Sequence, residues 1–213
     1  MDIFILIVIV IIFLLSVVIH EVSHGTMANI LGDPTAKYAG RLTLNPLKHL
    51  DLFGSIIVPG VLILSSIITG GGIILGWAKP VPINPYNFRD QKYGSAKAAI
   101  AGPAANIFIA LIFGLLIRFL SFETSIFFQN LISIFIFIVW VNLLLAFFNL
   151  LPIPPLDGSH ILFAFLPSSM DSLKLFLTQY GFFILLFVIF FFFQQFIPLI
   201  NYLFTLIVGF SFL

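Results

Sequence analysis

Five stretches of this chain, at about 3–27, 52–75, 95–120, 126–150 and 175–213, stay apolar for roughly 20 residues or more, the length a helix needs to cross the hydrocarbon core of a bilayer. In lipid the backbone must satisfy its own polar groups, so such runs fold as helices rather than as open sheet. Composition points the same way. Of 213 residues, 61% are hydrophobic and 8% charged, whereas water-soluble domains carry about 25% charged residues. The sequence therefore predicts an all-α polytopic membrane protein, a helix bundle of about five to six hydrophobic segments in a single domain over 1–213. The last run is long enough for two segments, with a break expected near Gln194, Gln195 and Pro198. A formal charge of +1 gives nucleic acid no electrostatic footing. Cysteine is absent, which excludes disulfides and thiolate ligands. The N-terminus reads as a retained first helix: Asp2 stands where a signal peptide carries Lys or Arg, and no small-x-small site follows.

The run 52–75 is unusual for a straight spanning helix, with Pro59-Gly60 near its middle and Gly70-Gly71-Gly72 near its end. Lys37, Arg41 and Lys48 precede it, and Lys79, Arg89, Lys92 and Lys97 follow it. Basic residues favour the cytoplasmic side. Their presence on both flanks predicts a re-entrant segment, and places the N-terminus outside. Pro80, Pro82 and Pro85 in the stretch 76–88 exclude a helix and favour a strand-like loop. At membrane depth, such backbone is tolerated only against protein or a water-filled cavity.

One short motif carries the chemistry. HEVSH, residues 20–24, ends the first apolar run, and ionisable groups at that depth are costly enough to imply a function. His20 and His24, four residues apart, share one helix face and suit two corners of a tetrahedral metal site. Glu21 sits beside the first ligand, where a general base for an attacking water belongs. The structural alternative, two histidines hydrogen-bonded within a bundle, leaves Glu21 unexplained.

A catalytic zinc site uses three protein ligands and keeps one position open. Asp157 is the third candidate: it follows the run 126–150, where Pro152, Pro154 and Pro155 break the helix and Gly158 frees the backbone. His49 with Asp51 is the alternative pair. His160 would close the open position as a fourth ligand and is read as supporting. The remaining acids, Asp33 among them, lie in polar connections where solvation accounts for them.

HEVSHG at 20–25, GWAKPVPINP at 76–85, AGPAANI at 101–107 and NLLPIPPLDG at 149–158 together resemble the site-2 protease family of intramembrane zinc metalloproteases. The resemblance covers about residues 16–162, with four motifs in family order. It is closest to the short form, which lacks PDZ and CBS domains. It implies one Zn²⁺ per chain held by His20, His24 and Asp157, with Glu21 catalytic and Asn149 holding substrate or oxyanion. For Asn149 a helix-end cap or an interhelical hydrogen bond is the alternative. Asn142 reads as interhelical glue, and Asn106 as structural. Gly102, Pro103 and Ala104 offer small residues for close packing against the metal-binding helix.

The expected protein is thus a transmembrane peptidase domain hydrolysing a transmembrane segment of another membrane protein. Its site would face the cytoplasmic side of a plasma membrane. The expected partners are that substrate and the lipid bilayer, without nucleic acid; oligomeric state is left open. A zinc transporter and a non-catalytic binding protein on the same scaffold are the competing classes. A transporter needs further ligand sets along a path, and a binding protein could discard residues retained here.

Overall fold

The computed structural model describes residues 3–51, 57, 79–119 and 125–210. Helices α1 (Ile3–Ile30), α2 (Thr35–Tyr38), α3 (Gly94–Phe119), α4 (Ile126–Asn149), α5 (Asp157–Phe165) and α6 (Asp171–Val208) follow one another, linked by irregular segments and short 3-10 turns. Four of them are long and apolar enough to cross a membrane: α1, α3, α4 and α6. There is no strand among the described residues. The protein is a helical, multi-pass membrane protein.

α3 is the hub, packing against α1, α4, α5 and α6. Ala110 and Ile117 of α3, Val139 and Leu143 of α4, and Ile200, Phe204 and Val208 of α6 form one buried cluster. Among its described side chains, α1 buries Ser16, His20 and His24 together with the small apolar Val18 and Ala28. Ser16, His20, His24 and Ala28, each four apart, are all buried, while Ile7, Val10, Ile11 and Phe13 are exposed. With lipid as solvent, a helix gains little by hiding leucine, and its polar stripe turns inward instead.

Cross-helix contacts fix the directions. His24 meets Ala98, His20 meets Asn106, and Ser16 meets Asn142, so α3 runs against α1. α4 runs parallel to α1, bringing Asn149 and then Asp157 to the end that holds the histidines. α6 returns, and its Leu206 carbonyl accepts a hydrogen bond from Arg118 at the far end of α3.

The last apolar run departs from expectation. α6 is one continuous 38-residue helix that contains Gln194, Gln195 and Pro198. Proline inside a membrane helix is tolerated where neighbouring groups and local adjustment re-satisfy the backbone.

The re-entrant reading of 52–75 lies outside the described residues, apart from Ile57. Its flanks are described, and they meet. The Lys79 N–H donates to the His49 carbonyl at 2.9 Å, and the Arg41 guanidinium donates to the Lys79 carbonyl at 2.6 Å. The chain therefore leaves and returns at one end of the bundle. Residues 79–84 form no regular element; Asn84 has extended backbone, and a 3-10 turn follows at Pro85–Asn87.

Asp33 corrects the solvation reading. It is fully buried. Its carboxylate accepts from Asn84 N–H at 2.7 Å, from the Asn87 side chain at 2.8 Å, and from Thr35 N–H and hydroxyl at 3.1 and 2.5 Å. It clamps the proline-rich segment to the end of α1.

Candidate metal centre

α1 delivers His20 and His24 on one face, one turn apart. α5 begins at Asp157, directly after the proline-rich turn that follows α4. Gly158 has an ordinary helical backbone rather than the unusual one its sequence context suggested, since the positive-φ glycines are Gly32, Gly40 and Gly209. It is needed for space: a Cβ there would lie 2.3 Å from the Leu150 carbonyl oxygen. The tight seat of α5 on the end of α4 places Asp157 against the histidines.

The three side chains converge. Nε2 of His20 and Nε2 of His24 are 3.0 Å apart, and Asp157 Oδ2 lies 3.1 Å from each. The opposite ring nitrogens face acceptors. His24 Nδ1 lies 2.8 Å from the Ala98 carbonyl, and His20 Nδ1 lies 2.5 Å from Asn106 Oδ1. A neutral imidazole at either position would donate from Nδ1 and point the lone pair of Nε2 inward. Asp157 Oδ2 is buried without a hydrogen-bond partner.

Three acceptors crowded together in a buried spot repel one another unless a cation lies among them. Ligand atoms of a tetrahedral zinc with N and O bonds of about 2.0–2.1 Å are spaced by roughly 3.3 Å. The residues fit that ion. They form the one three-residue metal-type cluster among the described residues.

Gly102 makes the approach possible. A Cβ there would fall 2.3 Å from His24 Nε2 and 2.7 Å from His20 Cε1. The small residues expected to permit close packing thus clear room for the ligands themselves.

A cavity of about 370 Å³ opens beside the cluster, lined by Glu21, Val81, Asn149 and His160 among others. Glu21 Oε2 accepts a hydrogen bond from Val81 N–H at 2.8 Å. Asn149 donates one amide hydrogen to the Leu145 carbonyl at 2.9 Å. His160 is exposed to the cavity, outside the three-residue cluster. His49, the alternative ligand, is buried elsewhere, with Nε2 2.8 Å from the Thr43 carbonyl. Sequence reasoning missed the backbone N–H of Val81 and the contact of Asn106 with His20. The second had a signal: Ser16, Asn106 and Asn142 are isolated polar residues within apolar runs.

Comparison with known proteins agrees with this geometry. The model of peptidase family M50 matches residues 121–192. "Putative zinc metalloprotease YwhC" of Bacillus subtilis (strain 168) is 36% identical over 177 residues, covering 81% of this chain and 75% of that protein. "Putative zinc metalloprotease Rip2" of Mycolicibacterium smegmatis is 34% identical over 146 residues, covering 68% of this chain and 52% of that protein. No solved structure matches the chain. With its metal-type cluster set at one end of a bundle of membrane-length helices, the chain belongs to peptidase family M50, the site-2 protease family.

Proposed function

We propose that the protein is an intramembrane zinc endopeptidase that cleaves a transmembrane segment of another membrane protein. The observation that carries this reading is the convergence of His20 Nε2, His24 Nε2 and Asp157 Oδ2 within 3.1 Å, beside a cavity lined by Glu21. These three residues would hold one zinc per chain. Bound there, zinc supplies Lewis acidity that polarises a carbonyl and acidifies a water.

The remaining chemistry belongs to side chains of the cavity. Glu21 takes a proton from the attacking water and returns it to the leaving amine. Asn149 has two amide hydrogens, and one is held by Leu145; we assign the other to the substrate carbonyl as negative charge develops on it. A substrate helix hides its carbonyls in its own hydrogen bonds, so it must unwind before it can be cut. The proline-rich segment 79–84 lies beside Glu21 and would offer an edge for the unwound strand. A transport path would need ligand sets strung along it, and one set is present among the described residues.

The orientation follows from charge. Lys37, Arg41, Lys48, Lys79, Arg89, Lys92, Lys97 and Lys174 all belong to the end that carries the site, and Arg118 belongs to the other. By the positive-inside rule the site end faces the cytoplasm, in a plasma membrane.

Co-expression with single-span membrane proteins tests the reading. Glu21→Gln should abolish cleavage while zinc content stays near one per chain, because Gln keeps the shape but cannot take the proton. Cleavage surviving in this variant would overturn the mechanism. Loss of zinc would instead make Glu21 a ligand.

A further inference from the structure

Three uncharged polar side chains are buried in the bundle and unused by the proposed mechanism. Asn106 and Asn142 are fully buried, and Ser16 is nearly so. They link three helices. Asn142 Nδ2 donates to the Ser16 hydroxyl at 2.9 Å and to the Ile138 carbonyl at 2.8 Å. Asn106 Nδ2 donates to Asn142 Oδ1 at 2.7 Å and reaches the Ser16 carbonyl at 3.5 Å. Asn106 Oδ1 meets His20 Nδ1.

We propose that Asn106 is a positioning residue for the metal site. Asn142 and Ser16 fix the sense of its amide, so that His20 carries its proton on Nδ1 and presents Nε2 to zinc. The inference rests on the metal-site reading above.

The sense of the chain comes from two main-chain carbonyls, which can only accept. The Ile138 carbonyl requires the NH₂ of Asn142 on its side, which turns Asn142 Oδ1 toward Asn106. That oxygen and the Ser16 carbonyl require the NH₂ of Asn106. Asn106 Oδ1 is left facing His20, and against an acceptor His20 must donate. Reversing either amide would set donor against donor or acceptor against acceptor, without water to relieve it. His24 reaches the same tautomer more directly, through the Ala98 carbonyl. Interhelical glue alone would need neither the third bond, to His20, nor a fixed polarity.

The test has two arms. In zinc-free wild-type protein labelled with ¹⁵N-histidine in detergent, His20 should show a protonated Nδ1, with His20→Gln identifying the signal. In chelator competition, Asn106→Leu should weaken zinc binding by about 10–100-fold, the usual effect of losing an outer-shell partner of a metal ligand. Asn142→Leu keeps the Asn106–His20 contact but frees the amide to turn. It should bind zinc more weakly than wild type, more tightly than Asn106→Leu, and mix the tautomers. A wild-type His20 with an unprotonated Nδ1 would overturn the proposal, even if the leucine variants failed to fold. So would a folded Asn106→Leu protein that lost thermal stability but bound zinc as wild type does, since that is the signature of a purely structural residue. Wild-type protein that took up no zinc would overturn the metal-site reading itself and this inference with it, an outcome distinct from the other two.

Discussion

The main-chain N–H of Val81 donates to Oε2 of Glu21 at 2.8 Å, tying the proline-rich segment to the carboxylate beside His20. Pro80 and Pro82 have no N–H, so this bond uses the single backbone donor of residues 80–82. The proposed base and the proposed substrate edge are therefore oriented against each other.

Val81→Pro removes that donor. A hydrogen bond to a charged group is worth roughly 1.5–3 kcal/mol, so peptidase activity should fall by about 10–100-fold with zinc content retained. Val81→Ala keeps the N–H and serves as the control. Equal activity of Val81→Pro and Val81→Ala would show that the bond does not orient the base.

Asp157 and His160 lie three residues apart, and only Asp157 belongs to the cluster with His20 and His24. Asp157→Ala should lose both zinc and activity, because two histidines hold the ion weakly. His160→Ala should keep its zinc. Elemental analysis of the purified variants decides, and the reverse pattern would move the third ligand to His160.

Gly102→Ala places a methyl group 2.3 Å from His24 Nε2. In a helix interior alanine is otherwise favoured over glycine by about 1 kcal/mol, so helix formation itself does not suffer. Zinc affinity should drop by at least about tenfold, as for other disturbances around a metal ligand. A variant binding zinc like wild type in chelator competition would show that α1 and α3 can separate without cost to the site.

The sequence showed some of this plainly and hid the rest. His20, Glu21 and His24 are legible because a four-residue spacing on a helix has one geometric meaning. Asp157 is legible because the prolines before it end a helix at the depth where the histidines lie. Asp33 was not. A carboxylate in a polar connection looks solvated, and its burial depends on Asn84 and Asn87, which are distant in the chain. Nor was the tie between Asn106 and His20, which requires the register of α1 on α3. The continuity of α6 through Pro198 was hidden as well, because a proline that would stop a helix in water can be carried in a membrane.

Asp33 gives a pH signature. Burial pushes its pKa up, but hydrogen bonds from Thr35, Asn87 and Asn84 outweigh that and hold it below the ordinary value of 3.8. A depressed pKa stabilises the folded protein above the unfolded value, and the contribution is lost as pH falls through the lower folded one. Wild-type thermal midpoints should therefore decline as the pH drops below about 4, the ordinary aspartate range. Asp33→Asn should start lower near neutrality and lack that part of the decline. Parallel curves for the two proteins would contradict the clamp.

The meeting of His49 and Lys79 predicts a labelling result. With no native cysteine, Leu47→Cys and Tyr86→Cys place single thiols at exposed positions on the two flanks of 52–75. A membrane-impermeant reagent should reach both from the cytoplasmic side of inverted vesicles, and neither in intact cells. Labelling of one but not the other in intact cells would place the flanks on opposite faces.

α6 is 38 residues long, about 57 Å at 1.5 Å per residue, against a hydrocarbon core of about 30 Å. A helix so much longer than the slab around it must lean, protrude or thicken the bilayer, each at a cost of fractions of a kcal/mol per Å of mismatch. α6 also contributes Ile200, Phe204 and Val208 to the cluster shared with α3 and α4, and its Gly181 rests on Pro154 in the turn leading to Asp157. A change in lipid thickness around α6 is therefore expected to reach the turn before Asp157 through the contact of Gly181 with Pro154, so bilayers of short and long acyl chains should load the same site differently.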